Sequence, residues 1–217
     1  MLHLYAVDVA RNRSARLKPS ESENMHPRTH ELLTYLDTQR AALRDAFERV
    51  PRDQRDRKPA PDRWSAANIV EHLSIVEGRI AGRFAGLIAE ARANGHAAES
   101  SSDPILPTID LSSVANRSTR ITAPDPIQPT GLAADAAWAA LEQSRAALRD
   151  TMSAGDGLAL GTITSPHPLF GPMPLYQWYA FLGAHEARHT AQMIADCALR
   201  EPQDALSPSK GGPRSAD

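Results

Sequence analysis

Cysteine occurs once in this chain, at Cys197, so no internal disulfide and no cysteine-rich metal site can form. Aromatic residues make up only 5% of the sequence. With isoleucine also sparse and alanine and arginine frequent, the balance leans to helix rather than sheet. Charge of one sign is lacking too: 24 Lys and Arg stand against 26 Asp and Glu. That balance leaves no broad electrostatic footprint for nucleic acid or an anionic membrane surface. No apolar run approaches the ~20 residues that a membrane-spanning helix needs. Residues Met1 to Ala10 are mildly apolar but carry His3 and Asp8 and no basic stretch ahead of an apolar one. No signal peptide is read there, and a cytoplasmic location is expected.

What is present is helical periodicity. A first helix is expected from Pro27 to Val50, where Leu32, Leu33, Leu36, Leu43, Phe47 and Val50 recur at helical intervals. Ser65 is suited to cap a second helix that runs to about Ala93, ahead of the Asn94-Gly95 stop. Its apolar stripe reads Ile69, His72/Leu73, Val76, Ile80, Phe84 and Leu87, so a histidine stands among core positions. Residues 95–130 are rich in proline and serine and read as a crossover along the bundle. Thr130 is placed to cap a third helix over Gly131 to Ala154, with Leu132, Trp138, Leu141 and Leu148 buried. A loop, Gly155 to Met173, precedes a fourth helix from Pro174 to about Arg200. No strands are expected. Four amphipathic helices bury their stripes most simply against one another, so the fold class is all-α, a four-helix bundle with a long crossover between helices 2 and 3. Residues 1–24 are expected to form a disordered extension, residues 25–200 the bundle and residues 201–217 a disordered tail.

The strongest chemical signal is His185-Glu186-Ala187-Arg188-His189. Side chains four apart share a helix face, so both imidazoles can reach one divalent ion. His72, on the buried stripe of another helix, is the natural third ligand, with the fourth position open to water or substrate. Two other readings stand beside this one. Histidines on apolar stripes are often core residues satisfied by hydrogen bonds. The same five residues also match the His-Glu-x-x-His pattern of zinc proteases, which normally lies beside a strand-bearing cleft. Glu71, Glu186 and Gln192 are candidates to orient ligand rings, although a solvated or helix-pairing role is preferred for both glutamates. Arg188 is read as an ion-pairing residue, His167 as structural rather than a fourth ligand, and Trp64 and Trp178 as packing residues. Cys197 is a poor ligand, and His26, His30 and His96 are read as surface residues.

Trp64-Ser65 before a helix with Glu71-His72-Leu73, followed by a terminal helix bearing His185 to Gln192, resembles the DinB-like superfamily. So do His167-Pro168-Leu169-Phe170-Gly171-Pro172 with Tyr176-Gln177-Trp178, and Thr122-Ala123-Pro124 with Pro129-Thr130. The resemblance spans about Met25 to Arg200 and implies a four-helix bundle with a three-histidine metal centre, falling here on His72, His185 and His189. Members of that superfamily include transferases and isomerases that use low-molecular-weight thiols, and many proteins of no assigned activity. The resemblance thus implies one divalent ion, zinc or nickel ahead of manganese or iron, and a low-molecular-weight thiol. The leading expectation is a metal-dependent thiol S-transferase acting on a small electrophile. A metal-dependent hydrolase and a non-catalytic metal-binding or stress-response module are the alternatives. A small-molecule substrate, no nucleic-acid or membrane partner, and a homodimer through an outer helix face complete the expectations.

Overall fold

In a computed structural model, the structure describes residues 24–115, 122–168 and 170–198. Four long helices dominate: α1 (Pro27–Arg49), α2 (Ala66–Ala93), α4 (Ala134–Ala154) and α5 (Leu175–Ala198). A single-turn helix, α3 (Ser112–Ala115), lies in the crossover and packs on α5. In the bundle α2 lies along α4 and α1 along α5. Among the described residues no helix is long and apolar enough to cross a membrane. The expected extension and tail fall outside the described residues, apart from Asn24.

The stripes that define α1 and α2 are buried where the periodicity places them, except that Val76 and Leu87 are half-buried. Ser65 caps α2 as expected: its hydroxyl accepts from the Asn68 N–H at 3.1 Å, and Asn68 Oδ1 accepts from the Ser65 N–H at 3.2 Å. The third helix departs from expectation. It begins at Ala134, and the cap position falls to Ala133 with no side-chain bond from it. Asp56, from the loop after α1, accepts from the Ala134 N–H at 2.8 Å and takes the cap's place. Leu132 lies ahead of the helix and is exposed.

The segment read as a loop before α5 contains an antiparallel hairpin, β1 (Thr164–His167) with β2 (Gly171–Pro174). Ser165 pairs with Met173 on the buried side and Pro166 with Pro172 on the outer side. Four-residue strands, each broken by proline, carry too little alternation to register as strands in the sequence. Pro174 consequently ends β2, and α5 starts at Leu175.

The apolar core divides in two. One cluster gathers Leu32, Leu36, Phe84, Ile88, Leu148 and Tyr179; the other gathers Leu43, Phe47, Ile69, Val70, Leu141 and Met193. Between them in sequence, on each long helix, stands a buried charge: Arg40, Glu77, Arg145 and Glu186. Arg40 donates to Glu186 at 2.6 Å and to Glu77 at 3.0 Å; Arg145 donates to Glu77 at 2.8 Å and to Glu186 at 2.5 Å. Spare guanidinium protons go to the Leu141 and Leu36 carbonyls. Burial works against charge on Arg145, but the attraction of Glu77 and Glu186 outweighs it and holds the guanidinium protonated.

Replacing Arg145 with Leu leaves two carboxylates sharing one guanidinium in a buried layer. The expected loss is about 3–5 kcal/mol of folding stability, read from urea denaturation. Gly183 on α5 lies under the ring of Tyr35 on α1, which occupies the space a Cβ would need. Gly183→Ala ought to raise helix propensity, yet the expected net effect is a loss of about 1–3 kcal/mol, because overpacking at this contact exceeds the helix gain. The same denaturation measurement gives the sign.

Candidate metal centre

His185 and His189 stand one turn apart on α5, and His72 reaches them from the second turn of α2. The structure brings the three histidines together: one nitrogen of each lies within 4.8 Å of the others. His72 Nε2 is 3.4 Å from His185 Nε2, and His189 Nε2 is 3.2 Å from the same atom. Nitrogen ligands at about 2.0–2.1 Å from a tetrahedral ion would stand about 3.3–3.4 Å apart, so these two spacings fit such an ion. Among the described residues, no other histidine, cysteine or carboxylate joins the cluster.

Hydrogen bonds set the tautomers. His72 Nδ1 donates to the Ile127 carbonyl at 2.7 Å, and a carbonyl can only accept. His189 Nδ1 lies 3.0 Å from Gln192 Oε1 and donates to it. In the neutral rings, both Nε2 atoms then carry lone pairs turned toward His185. His185 Nε2 faces both of them, so the three rings converge in an arrangement that could hold a cation. Burial lowers the pKa of His72, against the opposing bond to Ile127. Burial, then the proximity of His189, His72, Arg188 and His167, pushes His185 well below the ordinary histidine range. Neutral imidazole is the ligand form.

Of the expected orienting groups, Gln192 takes that place, while both glutamates have other partners. Glu71 is buried, and one of its oxygens accepts from the Thr130 N–H at 2.7 Å and hydroxyl at 2.6 Å. The other accepts from the Gly131 and Leu132 N–H groups at 2.9 Å each. Burial would raise its pKa, but these four donors outweigh that and hold the carboxyl below its usual range. Thr130, expected as a helix cap, is thus bound to α2 instead. Glu186 belongs to the buried charge layer and pairs helices, as preferred for it in the sequence.

Arg188 donates to the Val114 carbonyl in α3. Trp64 is half-buried, its ring 4.8 Å from that of His72 and 6.1 Å from that of His189. Trp178 is buried and donates to the Ser165 carbonyl at 2.9 Å. His167 stays outside the cluster at the end of β1, packed on Phe170, Trp178 and Phe181. Cys197 is half-buried against the second core cluster. His30 is exposed; His26 accepts from the Arg28 N–H ahead of α1, and His96 meets Thr162 at 2.8 Å.

Sequence reasoning missed Arg40, Glu77, Arg145 and the Ile127 carbonyl. The charges did leave a signal, since Arg40 interrupts the stripe between Leu36 and Leu43, Glu77 that between Leu73 and Ile80, and Arg145 that between Leu141 and Leu148. A backbone carbonyl leaves none.

Among known proteins, the family model described as the DinB superfamily matches residues 35–193, well over half of the chain and including all three histidines. No curated protein and no solved structure matches.

Histidines whose folded pKa is depressed bind protons more readily in the unfolded chain. Their stabilising contribution is present above the unfolded value of about 6.5 and is lost as pH falls below it. Metal-free protein should therefore lose stability between pH 7 and pH 5, by up to about 1.4 kcal/mol per pH unit for each histidine held neutral. Denaturant midpoints across that range check this, and His185→Gln should flatten the slope.

Proposed function

The chain belongs to the DinB superfamily, and we propose that it binds one divalent metal ion through His72, His185 and His189 and transfers a low-molecular-weight thiol to a small electrophile. The convergence of the three imidazoles, with His185 Nε2 at 3.4 Å from His72 Nε2 and 3.2 Å from His189 Nε2 and no fourth protein ligand among the described residues, supports this reading above all else. An all-imidazole donor set suits zinc, nickel or iron; manganese prefers oxygen donors. A divalent ion bound there supplies positive charge that lowers the pKa of a coordinating thiol or water.

The residues of the chain hold and orient. The Ile127 carbonyl and Gln192 keep the rings of His72 and His189 turned inward. Burial keeps His72 and His185 neutral and ready to coordinate. Trp64 and Phe181 flank the imidazoles with apolar surface.

The commitment of both nearby carboxylates argues against hydrolysis of the zinc-protease kind. Hydrolysis of the zinc-protease kind needs a general base beside the attacking water. Glu186, which occupies that place in the sequence pattern, is bound by Arg40 and Arg145, and Glu71 by Thr130 to Leu132. A thiol that coordinated as thiolate would need no such base. In the proposed reaction the thiol gives up its proton to solvent, a carbon–sulfur bond forms from the sulfur electron pair, and the bond from carbon to the leaving group breaks with its pair leaving on that group.

Tag-free protein should carry about one divalent ion per chain by mass spectrometry, and His185→Ala should carry none. Metal absent from both, even after reconstitution with zinc, nickel and manganese, would overturn the centre. Metal present without acceleration of thiol conjugation by any low-molecular-weight thiol would overturn the transferase assignment while leaving the centre intact.

A further inference from the structure

The aromatic residues are few, yet several gather on one side of the histidine cluster. Phe181 precedes His185 by one turn of α5, and its ring lies parallel to the imidazole, 12° between planes and 6.0 Å between centroids. Phe181 meets His167 at 4.8 Å, Trp178 at 5.7 Å and Phe170 at 6.1 Å. His167 and Phe170 come from either side of the hairpin turn and stack at 4.7 Å and 24°. A continuous run of ring contacts therefore leads from the hairpin tip to a proposed metal ligand.

The outer end of that run is open. Phe170 is 45% exposed, one of three large apolar side chains so exposed among the described residues, and the one that joins this run. The hairpin that presents it is firmly held. Trp178 Nε1 donates to the Ser165 carbonyl at 2.9 Å, and Arg83 donates to the Pro166 carbonyl at 3.1 Å. The Phe170 N–H donates to His167 Nδ1 at 3.3 Å, and Gly171 turns the chain with φ +72°, a conformation open to glycine.

From this arrangement we infer that Phe170 and Phe181 form an apolar subsite of the metal centre and that the electrophile carries a flat, apolar group, such as an aromatic ring, which seats against them. The inference rests on the reading of His72, His185 and His189 as the centre. Flat rings stack or meet edge-on with other rings, so a preordered aromatic wall selects planar over puckered apolar groups. A single exposed ring continuous with the centre is far below the ~800 Å² per partner of a stable protein interface, and a small molecule is the occupant its size fits.

The test uses 4-nitrobenzyl alcohol, an unreactive planar quencher, added to full-length protein with and without zinc while tryptophan emission is followed. Trp178, in contact with His167 and Phe181, lies beside the seat. Saturable quenching is expected, with a dissociation constant raised about tenfold by Phe170→Ala and by less in Phe170→Leu. Zinc content of both variants should match wild type, and cyclohexylmethanol should not displace the probe. Phe170 is already exposed, so its truncation leaves the fold intact. Quenching that does not saturate, that is unchanged in Phe170→Ala, or that cyclohexylmethanol reverses equally well would overturn the inference, with the zinc content unaffected. Binding of the probe with the expected variant pattern, in a protein that takes up no metal, would overturn the assignment of the seat to a metal centre.

Discussion

The buried exchange of four charges among Arg40, Glu77, Arg145 and Glu186 is the constraint on which the rest of the molecule depends. Each long helix contributes one member, and together they interrupt the apolar core between its two clusters. Such groups lose several kcal/mol of hydration on burial, so the layer stands only if every partner arrives in place. Apolar contacts alone tolerate small shifts of a helix; a guanidinium bridging two carboxylates does not. Glu186 lies between His185 and the following turn, and a rotation of α5 that broke its contacts with Arg40 and Arg145 would also turn His185 and His189 away from His72. The charge layer and the histidine cluster are two consequences of one helix orientation.

The crossover belongs to the same scheme. Adjacent residues of α2 grip it: Glu71 accepts four hydrogen bonds from Thr130 to Leu132, and His72 donates to Ile127. Nearer its start, Glu31 of α1 accepts from the Ile105 and Leu106 N–H groups. A chain segment without ladder partners must satisfy its backbone groups elsewhere, and here carboxylates from the helices do so. Bonds of this kind to a charged acceptor contribute about 1.5–3 kcal/mol each. The crossover is thereby a component of the site, since one of its carbonyls selects the tautomer of a proposed ligand.

The five-residue pattern on α5 illustrates how little a short motif settles alone. His185, Glu186 and His189 satisfy the spacing of a zinc-protease helix. In this fold the two histidines face His72, while the glutamate turns aside into two arginines. Residues adjacent on a helix diverge by about 100°, and the packing around each decides which face meets the chemistry.

Much was legible from the chain alone because it depends on local periodicity: the four long helices, the buried stripes of α1 and α2, the Ser65 cap, and the pairing of His185 with His189 one turn apart. The all-α class follows from those stripes, and the family from residues spread over most of the chain. Tertiary structure decided what depends on contacts between distant residues. It assigned Glu71 to Thr130, moved the start of α4 to a position capped by Asp56, folded a proline-broken segment into a hairpin, and packed Phe170 against His167 and Phe181. Periodicity tells which side of a helix is buried, but a pair such as Arg145 and Glu186 forms only when two helices meet at one level and rotation. That information resides in the packing.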